Sequence, residues 1–94
     1  MAAYGDIMAS DSRTLHVGVT SDLERRVWEH KHHFVDGFTK RSNVTNLVYI
    51  AEFVEMRDTI AWEKWIKGKN RSVKIAQIEE RNPRWNDLAW NWFD

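Results

Sequence analysis

Residues 46–54 place the tightest constraint on how this chain can fold. They read Asn-Leu-Val-Tyr-Ile-Ala-Glu-Phe-Val. Successive side chains of a strand point to opposite faces, and here both faces are apolar. Such a strand needs cover on both sides. In 94 residues that cover must come from helices laid against a small sheet within one domain.

The remaining elements supply the partners. Residues 14–20 alternate, with Leu15, Val17 and Val19 on one face and Thr14, His16, Gly18 and Thr20 on the other. Residues 3–9 form a weaker strand, because Gly5 and Asp6 both lower strand propensity. Residues 10–13 are a turn by composition. Joined as a hairpin, these strands bring Asp6 and His16 within about two positions of each other. A first helix follows, with Ser21 as N-cap and Glu24 completing a capping box. Leu23 and Val27 form its buried stripe, Arg26 and His30 share a neighbouring face, and it frays around His32–His33. Residues 34–45 are a polar loop. A second helix runs from an N-cap at Asp58 to Gly68 as C′ residue. A third covers 71–81, with Val73, Ile75, Ala76 and Ile78 inward, and ends before Pro83. A short terminal helix is expected over 86–92. The order is ββαβαα: a single α+β domain over residues 1–94, with a short, largely antiparallel sheet and helices packed on it.

Composition removes several function classes. Fourteen Lys plus Arg balance fourteen Asp plus Glu, so this is no polybasic coat for nucleic acid, and any phosphate contact must come from a local patch. The absence of cysteine excludes disulfides, a thiolate zinc site and a cysteine nucleophile. No apolar run approaches the ~20 residues of a membrane span. With no basic, apolar secretory start, the expected location is the cytoplasm. Six tryptophans are many for this length, and Trp85, Trp90 and Trp92 lie in the last ten residues. Either this tail packs back onto the core, or it forms a partner-binding or self-association surface.

Few residues offer chemistry. Arg26 could clamp a phosphate with its fork, and His30, one turn on, could move a proton. On spacing alone the same pair also suits an ordinary surface helix. Glu63 is the only acid between Asp58 and Glu79, and Lys64, Lys67, Lys69, Arg71 and Lys74 surround it. It could hold a divalent metal while the basic residues meet phosphates, or simply pair with Lys67 one turn on. Lys40 and Arg41 are further candidate phosphate contacts. The run His30-Lys31-His32-His33 hints at a metal site, but no cysteine or second cluster completes it.

Taken together, these segments resemble a known family. Thr14–Lys31 looks like the second strand and first helix of the GIY-YIG nuclease domain. Gly37-Phe38-Thr39-Lys40, Leu47-Val48-Tyr49, the Glu-Lys-x-Ile-Lys-Gly pattern of Glu63–Gly68, and Asn82-Pro83-Arg84-Trp85-Asn86-Asp87-Leu88 resemble its small stand-alone bacterial (UPF0213-like) members. The likeness spans about residues 4–90. It implies a three-stranded antiparallel sheet flanked by helices and cleavage of DNA phosphodiester bonds with one divalent metal, Mg²⁺ or Mn²⁺. It also implies roles. Arg26 matches the arginine that contacts the scissile phosphate, His30 the helical histidine, Glu63 the metal-binding glutamate, and Gly18 the glycine of the second signature tripeptide.

Two positions depart from the pattern. The aromatic positions of the two signature tripeptides fall on Asp6 and His16, so neither tyrosine hydroxyl is present. His16 is a better base at neutral pH than a phenol, and Asp6 could add a second metal ligand. The resemblance therefore implies a metal-dependent DNA endonuclease working with substituted groups. The alternative is a catalytically impaired module that binds nucleic acid through Arg26, Lys40, Arg41 and the basic stretch 64–74.

Overall fold

The structure, a computed structural model, describes residues 2–32 and 43–93. In chain order the elements are β1 (Ala3–Ala9), β2 (Leu15–Thr20), α1 (Leu23–Lys31), β3 (Asn46–Phe53), α2 (Met56–Lys67) and α3 (Arg71–Arg81). The sheet is antiparallel with order β2-β1-β3. The ββαβαα order and the three-stranded sheet agree with the sequence reading.

The strand with the weakest local signal is the central one. β1 is buried along almost its whole length, and its two poor strand formers sit where other elements approach. A Cβ on Gly5 would lie 2.4 Å from Cε3 and Cζ3 of Trp62, whose ring stacks on Tyr49 with centroids 5.9 Å apart. Asp6 has its own partner on α1, described below. Tertiary contact thus overrides local propensity. Gly5→Ala is expected to overpack this contact and lower stability by about 1–3 kcal/mol. Urea denaturation checks this, and an unchanged midpoint would show that the indole yields freely.

Two apolar layers cover the sheet. Ile7, Ala9, Val17, Val48, Tyr49, Ala51, Ile66, Ile78 and Trp85 form one cluster, with α2 and α3 over it. Met8, Val27, Val44, Leu47 and Ala89 form the other, beneath α1 and the C-terminal segment. β3 is therefore covered on both faces, as its composition requires, although it lies at the edge of the sheet. The segment following α3 bonds to that edge. Leu47 N donates to Asp87 Oδ1 (3.0 Å), Leu88 N donates to the Leu47 carbonyl (2.7 Å), and Asn82 Nδ2 donates to the Val48 carbonyl (3.1 Å). Arg81 Nη1 reaches the Ile50 carbonyl (3.0 Å), and Asp87 Oδ2 pairs with Lys31 of α1.

Several boundaries differ from the sequence expectation. The N-cap of α1 is Asp22, not Ser21: its side chain accepts from Arg25 N at 3.2 Å, and its own N donates to the Thr20 hydroxyl at 2.9 Å. α2 begins at Met56, not after Asp58. The Glu55 carbonyl accepts from Asp58 N, Thr59 N and Thr59 Oγ1, so the helix starts without a side-chain cap. Gly68 closes α2 in the right-handed region, at φ −78°. Ala76 is exposed, and Ile78 is the fully buried residue of α3. No helix forms over 86–92. Trp90 N bonds to the Asp87 carbonyl and Trp92 N to the Ala89 carbonyl as separate turns, with Asp87 Oδ1 also accepting from Ala89 N. Trp85 is buried in the core, whereas Trp90 is 76% exposed. Trp85 thus packs back onto the core, while Trp90 stays exposed.

Candidate active site

The hairpin and α1 assemble the site. In the β1–β2 register Asp6 faces Gly18 and Met8 faces His16. Asp6, Met8, His16 and Gly18 therefore share one sheet face, with α1 over it. Burial of Val27 in that layer turns Arg26 and His30 toward the same region.

Asp6 is fully buried, at 0% exposure. Arg26 Nε donates to its Oδ2 at 2.5 Å, and the arginine side chain is 19% exposed. The guanidinium packs against the bare backbone of Gly18, where a Cβ would meet Nη2 at 1.9 Å and Cζ at 2.3 Å. Glycine is thus required by the close approach of the arginine. Burial pushes the Asp6 carboxyl up from its ordinary value. The Arg26 charge and hydrogen bond hold it down, and the Glu63 charge adds to the upward push.

The two histidines meet beside this pair, with ring centroids 5.5 Å apart. His30 is 2% exposed. Its Nδ1 lies 3.3 Å from the Val44 carbonyl. A carbonyl only accepts, so Nδ1 carries the proton and Nε2 the lone pair. Burial, then the Arg26 charge and His16, push His30 down to about 4, against the pull of the Val44 carbonyl. His16 is also lowered, by burial and then by the charges of Arg26 and Lys67, with Glu63 opposing. Among the described residues, Asp6 Oδ1, Arg26 Nη2 and His30 Nε2 are buried without a hydrogen-bond partner.

Glu63 borders the cluster from α2. Its side chain is 21% exposed and accepts from Lys67 Nζ at 3.0 Å. Its charge acts on both Asp6 and His16. Lys64 is exposed. Lys69 lies over the Trp65 ring, and Arg71 Nη2 donates to the Arg13 carbonyl. These cations therefore flank the site along the α2–α3 junction instead of entering it. Lys40, Arg41, Gly37 and His33 lie outside the described residues. The histidine run diverges, because His32 stacks on Trp28 while His30 turns inward. Among the described residues, no three His, Asp or Glu side chains converge as a metal-binding group. The Asp6–Arg26 pair was not anticipated from sequence. The available signal was an aspartate in an otherwise apolar strand, facing a glycine across a hairpin.

The comparisons with known proteins agree with this architecture. The family model of the GIY-YIG catalytic domain matches residues 7–76, and the chain belongs to that family. Its fold is similar to the solution NMR structure of a UPF0213 protein from Bacillus halodurans. The TM-score is 0.61 and the identity 20%, over 97% of this chain and 98% of that one. No curated protein matches the chain. No helix among the described residues is long and apolar enough to cross a membrane.

Proposed function

We propose that the chain is a metal-dependent DNA endonuclease of GIY-YIG type that hydrolyses phosphodiester bonds. What carries this reading is the meeting of Arg26, His16 and His30 beside Gly18, with Glu63 close enough for its charge to act on His16, in a chain of this family.

The donor set fits a lightly held hard cation. Mg²⁺ keeps several waters and takes one or two carboxylates together with substrate phosphate. Glu63 offers one partly exposed carboxylate, paired among the described residues with Lys67 at i,i+4. Glu63 would therefore hold Mg²⁺ or Mn²⁺, which supplies Lewis-acid polarisation of the phosphate. Arg26 neutralises charge on the phosphate. His16, neutral at pH 7, accepts a proton from the attacking water. His30, fixed in one tautomer by Val44, presents a lone pair at Nε2 and assists it. Lys64, Lys67, Lys69 and Arg71, with Lys40 and Arg41, hold the DNA backbone without reading its sequence. A cytoplasmic location fits this reading.

Two observations favour a second reading. Arg26 is already committed to Asp6, and His16 replaces a hydroxyl. Both suit a module that binds nucleic acid without cutting it.

A cleavage assay separates the two, using supercoiled, single-stranded and branched DNA with Mg²⁺ or Mn²⁺. Cutting is expected to need metal, to stop with a chelator, and to fall at least about 100-fold in Glu63→Ala. The fold should lose about 0.5 kcal/mol, since a partly exposed i,i+4 ion pair is removed. Full activity in Glu63→Ala would overturn the role of Glu63. A folded wild type that binds DNA but does not cut it would establish the second reading.

A further inference from the structure

Arg26 can clamp two oxygens of a phosphate side-on through the edge formed by Nε and Nη2. In this structure that edge faces into the protein. Asp6 Oδ2 occupies Nε at 2.5 Å, and Nη2 is buried over Gly18 without a partner. The carboxylate thus sits where a phosphate oxygen would sit.

The pair is also incomplete. A second bond from Nη2 to Oδ1 would make it bidentate, yet both atoms are left without partners. Buried ion pairs repay their desolvation only when their remaining hydrogen-bonding capacity is met. This one does not meet it. The nearby Glu63 charge disfavours the Asp6 carboxylate further. Neither His16 nor His30 relieves it, since neither is hydrogen-bonded to the aspartate and both rings are neutral at pH 7. A phosphodiester would offer Nη2 the acceptor it lacks.

We propose that Asp6 is a built-in competitor for Arg26, displaced from the guanidinium edge by a nucleic-acid phosphate, so that the residue at position 6 sets the protein's affinity for nucleic acid. The proposal rests on the reading of Arg26 as a phosphate contact. It does not require cleavage.

The test is binding of a short fluorescein-labelled single-stranded DNA to the full chain, followed by fluorescence anisotropy across a salt series. Asp6→Asn keeps the shape at position 6 but weakens its hold on Arg26, because a neutral acceptor replaces a charged one. Asp6→Asn is expected to bind about tenfold more tightly than wild type. Its salt slope should match that of wild type, because the same Arg26–phosphate contact forms in both complexes. Adding Arg26→Ala should return binding to the level of Arg26→Ala alone. Equal or weaker binding by a folded Asp6→Asn protein overturns the proposal. If wild type still binds and Arg26→Ala still weakens it, the nucleic-acid reading survives.

Should Asp6→Asn fail to fold, NMR of the wild type decides. Displacement is expected to move the Arg26 Nε–H signal when the same DNA is added. A fixed Nε–H signal, while the amides of His16 and Gly18 move, overturns the proposal alone. If none of these signals moves, both the proposal and the nucleic-acid reading fall.

Discussion

Arg26→Ala should lower folding stability by about 3–5 kcal/mol with no nucleic acid present. The reason lies in Asp6, which has no exposure and whose hydrogen-bond partner is Arg26 Nε. Removing one member of a buried pair leaves the other uncompensated, which costs far more than the net worth of the pair. Replacing both should cost much less. Asp6→Leu combined with Arg26→Met leaves no buried charge, and such exchanges are often neutral. Urea denaturation of the two single variants and the double variant forms the needed cycle. A large coupling energy is expected. A drop below about 1 kcal/mol in Arg26→Ala would mean that water reaches Asp6 and that the ion pair contributes little.

The second large effect is acid sensitivity through His30. The unfolded ring takes a proton below about 6.5, while the folded ring resists until about 4. Between those values the unfolded state holds more protons, so stability falls as pH falls. The window of about 2.5 pH units corresponds to a loss of about 3 kcal/mol from pH 7 to pH 4. Below 4 the folded ring is charged as well, and this contribution levels off. His16 is lowered too and acts in the same direction. Asp6 acts oppositely, since a raised carboxyl gives the folded state the extra proton as pH falls toward 3.8. His30→Asn keeps a donor for the Val44 carbonyl but cannot take up a proton. Its stability should change by about 3 kcal/mol less between pH 7 and pH 4. An unchanged pH dependence would place the acid sensitivity elsewhere.

The arrangement of elements was legible because it is written in short-range patterns. Alternation over 14–20 marked β2 and its two faces, and the apolar run at 46–54 marked β3. Residues 71–81 matched α3 end to end. Caps were less legible. Ser21 and Asp22 are both good N-caps, and spacing alone did not choose between them; in the structure the Asp22 side chain accepts from Arg25 N. β1 was least legible, since what makes it a strand is the Trp62 ring over Gly5 and the Arg26 guanidinium beside Asp6. Local propensity contains neither partner. The site divides the same way. Arg26, His30, His16 and Gly18 could be named from spacing and resemblance. That His30 is buried at 2% exposure, or that Arg26 is engaged by Asp6, depends on contacts between residues 14 or more positions apart.

The bonds from Arg81, Asn82, Asp87 and Leu88 to β3 also bear on solubility. A sheet edge rich in Leu, Val, Tyr and Ile, with free carbonyl and amide groups, is a template for another chain's strand. Residues 81–88 occupy those groups without forming a strand themselves, so they act as a plug against edge-to-edge aggregation. Cutting the Asp87 latch should therefore make copies associate through β3, by strand addition and not by tryptophan packing. The buried Trp85 of this segment would then be an anchor that keeps the plug seated.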